Sequence, residues 1–269
     1  DGTSWPTLHG DLTRAGFDPQ FPAGELTPGW RQEPYRELVG ARCEPIVAEG
    51  LVYVGTYAGN LYAYRADTGE RAWVYRTGGP LGHSPMYADG SVYFGSMDRH
   101  LYCVEARTGR LRWKYSAEEG FWASPVVHAG HVLIGDRAGT FHAVDTLSGQ
   151  SVWQIETEGP IITTASISPD GRCVLLGSED MHVRCADVAT GQLRWQSEQL
   201  QGLSLRDYFP VVAGDVVLVT TNPVEGFHET LNRQQDFLLR RVARKSSDEG
   251  YRFVAGSPED VEREQYAIV

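Results

Sequence analysis

The sequence predicts an all-β chain of four-stranded antiparallel blades, a β-propeller. Three observations carry this. Trp73, Trp113, Trp153 and Trp195 recur at intervals of 40, 40 and 42 residues, each four residues after a glycine (Gly69, Gly109, Gly149, Gly191). A second series, Gly55, Gly95, Gly135 and Gly177, ends an apolar run each time and lies 18 residues before the following Trp in every copy. Pro45, Pro85 and Pro125 each stand ten residues before that second glycine. A fixed period near forty residues with turn signals inside it is the mark of propeller blades.

The second copy shows how each element is read. Ser84-Pro-Met-Tyr-Ala88 is a short first strand, and Asp89-Gly90 is a tight-turn dipeptide. Ser91-Val-Tyr-Phe94 is an apolar second strand stopped by Gly95, and His100-Leu-Tyr-Cys-Val104 alternates as a third. Arg107-Thr-Gly109 turns the chain into Arg110-Leu-Arg-Trp-Lys-Tyr115, the fourth. The fourth copy carries two extra residues in Ser168-Pro-Asp-Gly-Arg172, which explains the interval of 42. Apolar runs at 51–54, 92–94, 132–134 and 174–176 suit inner strands packed on both faces. Alternating last strands, such as Leu193-Arg-Trp-Gln, suit exposed edges.

A fifth copy opens at Asp207-Tyr-Phe-Pro210, with Val216-Val-Leu-Val219 as its second strand, and then loses register. Val224 to Lys245 reads as a helix with Phe227, Leu231, Leu238 and Val242 on one face and a basic end (Arg240, Arg241, Arg244, Lys245). Ser257-Pro-Glu-Asp260 reads as the start of a second helix. The division expected is therefore 1–40, an N-terminal segment and closing strand; 41–221, the blades; and 222–269, a helical insertion and a truncated continuation of the propeller.

Composition narrows the function. The 269 residues include seven Trp, thirteen Tyr and thirty Gly, and carry a net charge of −11. That charge repels nucleic acid, and no apolar run is long enough to span a membrane. Cys43, Cys103, Cys173 and Cys185 form no CxxC pair and read as buried reduced thiols. The histidines show no metal spacing. No nucleophile elbow, P-loop or paired-carboxylate signature appears, so no catalytic residue is assigned.

The turn into the last strand carries a family resemblance. Ala143, Asp145, Ser148, Gly149 and Trp153 resemble the tryptophan-docking motif A-x-D-x-x-T-G-x-x-x-W of propellers in the pyrroloquinoline-quinone (PQQ) repeat superfamily. Cys185, Asp187, Thr190, Gly191 and Trp195 match with Cys for Ala, and Cys103, Glu105, Thr108, Gly109 and Trp113 with Glu for Asp. Ala63, Arg65, Thr68, Gly69 and Trp73 lose the acid. Trp5-Pro6, Gly10-Asp11, Arg14 and Gly16 resemble the opening of many secreted or periplasmic members, and Trp30 reads as the last strand of a closing blade. The competing reading of the period is a WD-repeat or kelch propeller, but no Trp-Asp pair ends the blades and no Gly-Gly pair recurs in register.

The resemblance implies that each Trp packs between neighbouring blades near the Gly peptide. It also implies a parent ring of seven or eight blades, of which about five are represented, so that a missing remainder or an oligomer covers the open blade faces. Residues just before each first strand are expected at the channel mouth: Arg42, His83, Trp122, Thr163 and Tyr208, with Asp207 adjacent. Two functions follow from relatives. The first is a non-catalytic scaffold outside the cytoplasm (periplasmic, cell-surface or secreted), like outer-membrane assembly lipoproteins, with a protein or peptide partner and no cofactor. The second is the leading part of a PQQ- and Ca²⁺-dependent alcohol or sugar dehydrogenase, which calls for calcium-binding oxygens and an adjacent Cys-Cys pair that this chain does not show. A propeller domain inside a larger multidomain enzyme is a third possibility.

Overall fold

The computed structural model describes residues 6–8, 12, 29–32, 37–40, 42–206, 209–213 and 216–221, together with the strand backbones at 240–246 and 250–254. Five four-stranded antiparallel sheets follow one another along the chain. The first is β1 (Ile46–Ala48), β2 (Leu51–Gly55), β3 (Asn60–Arg65) and β4 (Arg71–Arg76). The second is β5 (Met86–Ala88), β6 (Ser91–Gly95), β7 (His100–Glu105) and β8 (Leu111–Ser116). The third is β9 (Val126–His128), β10 (His131–Gly135), β11 (Thr140–Asp145) and β12 (Ser151–Glu156). The fourth is β13 (Ser166–Ile167), β14 (Cys173–Gly177), β15 (Val183–Asp187) and β16 (Leu193–Gln196). The fifth is β17 (Val211–Ala213), β18 (Val216–Thr220), β19 (Arg240–Ser246) and β20 (Gly250–Val254).

The fifth blade corrects the helix expected over 224–245. Its basic end, Arg240 to Lys245, lies in β19, which pairs antiparallel with β18 from Val216↔Arg244 to Thr220↔Arg240. An inner strand such as Val216–Thr220 presents backbone donors and acceptors on both sides, and a partner strand satisfies them where a local helix would not. The blade is then completed by β20 without a Gly-x-x-x-Trp ending. The remainder of that expected helix (224–239) and the second one, at Ser257, lie outside the described residues.

The core lies between the blades. Ile46, Tyr53 and Leu61 of blade one pack with Val92, Phe94 and Val104 of blade two. Comparable layers join blades two and three, three and four, and four and five. Both glycine series serve these contacts. A Cβ on Gly55, Gly95, Gly135 or Gly177 would meet Leu81, Phe121, Ile161 or Leu205 at the entry to the next blade, as close as 2.0 Å at Gly135. The turn glycines carry the tryptophans. Trp30, Trp73, Trp113 and Trp153 lie against Gly69, Gly109, Gly149 and Gly191 of the following blade. Their indole N–H groups donate to the carbonyls of Ala66, Ala106, Thr146 and Val188 at 2.8–3.0 Å. Trp195 packs on the cluster shared by blades four and five. Each turn follows a register shift between the third and fourth strands, as at Ala143/Val144. It is tied by its own acid where one is present: Asp145 Oδ1 accepts from Ser148 N and Oγ, and Asp187 Oδ1 from Thr190 N and Oγ1.

A carboxylate also grips the third strand of each of the first four blades. Tyr102 donates to Asp98 at 2.7 Å, His142 Nε2 meets Asp136 at 3.1 Å, and Arg184 donates to Asp180 at 2.6 Å. Blade one has no acid in this turn. There Glu37, arriving from the N-terminal side, accepts from Thr56, Asn60 and Tyr62. Partial burial pushes the Glu37 carboxyl up, but these hydrogen bonds outweigh it and hold the group below its ordinary value. The four cysteines are buried free thiols, and burial pushes Cys43 up to about 11.

Candidate functional site

Two series of residues converge where the blades meet. The residues that pack on the strand-ending glycines (Leu81, Phe121, Ile161, Leu205) are each followed by one in a common register: Gly82, Trp122, Ile162 and Arg206, with Arg42 at that place in blade one. The second series stands two residues after each strand glycine, in the β2–β3 type of turn: Tyr57, Met97, Arg137 and Glu179. Arg42, Tyr57, Trp122, Arg137, Glu179 and Arg206 line a cavity of about 690 Å³, with Pro160 and Ile162. That volume is in the range of pockets that hold small molecules or a few side chains.

The wall is cationic and aromatic. Three guanidiniums from blades one, three and five face one carboxylate. Glu179 is itself engaged, accepting from Ser204 Oγ at 2.7 Å and Leu205 N at 3.0 Å. Burial and then the nearby Arg206 charge lower the Arg42 pKa, against the opposing pull of Tyr57 and Glu179. Trp122 stacks on Tyr57, with centroids 5.7 Å apart and planes at 24°. It also lies over Gly82, where a Cβ would sit 2.7 Å from the indole ring. Gly40 backs Tyr57 in the same way: a Cβ there would sit 2.6 Å from its hydroxyl.

Of the channel-mouth residues expected from the sequence, Arg42 and Trp122 are in the cavity wall. His83 and Thr163 stand one position further along the repeat, in line with Cys43 and Ala123, and turn inward. Thr163 is buried against Gly177. His83 meets the edge of Trp122 at 6.3 Å. Burial, with the Arg42 charge, lowers its pKa to about 3, so it is neutral at physiological pH. Asp207 and Tyr208 lie outside the described residues. Tyr57, Arg137, Glu179 and Arg206 were not anticipated. Counting two residues on from each strand glycine finds the first three.

The sequence matches the family described as outer membrane protein assembly factor BamB, a PQQ-type repeat family, over residues 26–84 and 76–226. The chain belongs to this family. Its fold is that of PQQ-like propellers more widely. The quinohemoprotein alcohol dehydrogenase ADHIIG from Pseudomonas putida HK5 superposes with a TM-score of 0.66 at 15% identity, covering 94% of this chain and 46% of that one. The quinohemoprotein alcohol dehydrogenase from Comamonas testosteroni gives 0.65 at 15%, covering 94% and 52%. A computationally designed protein gives 0.60 at 16%, covering 80% and 61%. At these identities the likeness is one of fold alone, and the chain spans about half the length of the two dehydrogenases. None of the curated proteins is similar enough to match.

The fold family implies PQQ with Ca²⁺, and the cavity wall can be tested against that pair. The three guanidiniums suit quinone carboxylates. Calcium takes six to eight oxygen ligands, whereas Glu179 is the one carboxylate among the described wall residues, and it is held by Ser204 and Leu205. Trp122, stacked on Tyr57 and lying over Gly82, also lines the cavity, but an aromatic face supplies no oxygen to calcium. The described residues therefore do not fit the quinone–calcium pair, and no chemical step is derived through it.

Proposed function

We propose that this PQQ-like repeat propeller is a non-catalytic binding domain, a scaffold that docks a protein or peptide partner at the axial cavity. The observation that carries the reading is the make-up of the wall: three guanidiniums from three blades beside the Trp122–Tyr57 pair, with Glu179, the one carboxylate among the described wall residues, already held by Ser204 and Leu205. Such a wall offers charge and aromatic surface for recognition. The matched family, described as an assembly factor of the outer membrane, supports a protein-interacting role and a place outside the cytoplasm. Among the described residues no helix is long and apolar enough to cross a membrane. In this reading 41–221 is the binding unit, its fifth sheet completed by β19 and β20 from the following segment, and the rest of a ring or a second copy covers the open blade faces.

The competing reading is the leading part of a PQQ- and Ca²⁺-dependent dehydrogenase. Titration of the purified chain with PQQ, with and without Ca²⁺, separates the two by quinone absorbance and tryptophan fluorescence. The scaffold reading predicts no calcium-dependent saturation. Saturable micromolar binding that requires Ca²⁺ and is lost in Trp122→Ala would overturn it.

A further inference from the structure

We infer that the partner segment recognised by the axial cavity is an acidic peptide carrying apolar side chains among its carboxylates. The inference rests on the binding reading above and adds the chemistry of the occupant. Arg42, Arg137 and Arg206 come from three different blades and converge on one cavity with a single, internally engaged carboxylate. Guanidinium groups present a planar fork of donors matched to carboxylates, and are weakly enough hydrated to serve at a partly enclosed site. The chain as a whole carries −11. A local excess of positive charge on an acidic body directs an anionic segment to this place and away from the remaining surface.

The surroundings favour a peptide over a small anion. Leu38, whose carbonyl accepts from Tyr57 N, is 71% exposed, and Leu203, beside the Ser204 that holds Glu179, is 64% exposed. Tyr57 itself is 38% exposed. Exposed apolar side chains on the segments that carry or adjoin the wall residues match an amphipathic occupant, because a free carboxylate or phosphate gains nothing from them. Nucleic acid is disfavoured because most phosphates of a long polyanion would lie beyond the three guanidiniums and meet the repulsive field of the acidic surface, whereas a short peptide need not.

The test uses fluorescein-labelled peptides read by anisotropy. One alternates Glu and Leu, and its control carries Gln in place of every Glu. The acidic peptide is expected to bind at least tenfold more tightly than the control, and to weaken as salt is raised. The combined variant Arg42→Gln/Arg137→Gln/Arg206→Gln is expected to lose at least tenfold in affinity while keeping the wild-type circular dichroism spectrum. Leu203→Ser is expected to lose a smaller factor. Equal binding of the two peptides, or full binding by a folded triple variant, would overturn the inference. So would displacement by citrate or phosphate at the peptide's own affinity, which would mark a small-anion site. These outcomes are separate from calcium-dependent PQQ binding, the result that defeats the scaffold reading itself.

Discussion

Asp180→Ala is expected to destabilise the chain by about 3–5 kcal/mol, because it strands a buried guanidinium. Arg184 and Asp180 are 6% and 5% exposed and meet at 2.6 Å. Urea unfolding followed by circular dichroism gives the loss. The double variant Asp180→Ala/Arg184→Leu is expected to recover part of it, since the stranded charge is gone while the His182 and Glu158 N–H groups that Asp180 accepts from stay without it. Acid unfolding supplies a second readout. Burial pushes the Asp180 carboxyl up, but hydrogen bonds from Arg184 and the His182 backbone, with the guanidinium charge, hold it below its usual value of 3.8. A carboxyl depressed in the folded state contributes stability that is present above its unfolded value and lost as pH falls through the folded one. The wild-type chain should therefore lose stability below about pH 4, and the double variant should lose less over the same interval. A cost under about 1 kcal/mol for the single variant, as for an exposed pair, would show that the pair is solvated.

The second large effect concerns the tryptophan turns. Gly149 and Gly130 have nearly the same backbone, with φ of 69° and 79°. A Cβ on Gly130 would meet nothing within 4 Å, whereas one on Gly149 would lie 2.7 Å from the Trp113 ring. Gly130→Ala is expected to cost about 1–2 kcal/mol, the strain of a left-handed conformation for a side-chain-bearing residue. Gly149→Ala should cost that and a further 1–3 kcal/mol or so, for the overpacked contact. The difference between the two, read from denaturant midpoints at constant m-value, isolates what the Trp113 contact between blades contributes. Equal costs would mean that the indole moves aside freely and that its seat on Gly149 holds nothing.

The repeat made the fold readable. Trp, Gly and Pro markers kept register through four blades because each marks a contact that recurs: indole on turn, entry residue on strand glycine. Register failed in blade five, where the helical spacing of Phe227, Leu231, Leu238 and Val242 competes with a tertiary demand for strand partners that local sequence does not display. At Val242 the demand wins, and 240–246 is a strand. The site was legible in part. Arg42 and Trp122 were found because they precede a first strand, while His83 and Thr163 were placed one residue out of step. Both stand at a bend ahead of the first strand, where the two-residue side-chain alternation of a strand does not apply and direction is set by the local backbone. Arg137 and Glu179 look like ordinary turn residues in a single copy. Their convergence is visible only when blades from distant parts of the chain are set around one axis. Nor does the sequence show that Gly82 is what allows Trp122 to lie flat.

Binding at the cavity between the blades can be followed by hydrogen exchange with mass spectrometry, in the presence and absence of the Glu/Leu peptide. Exchange is expected to slow in the turns at 56–60, 136–139 and 178–182 and around 200–206, with the outer strands β8 and β12 unchanged. Protection confined to those outer strands would place the partner on the blade edges and contradict the axial site.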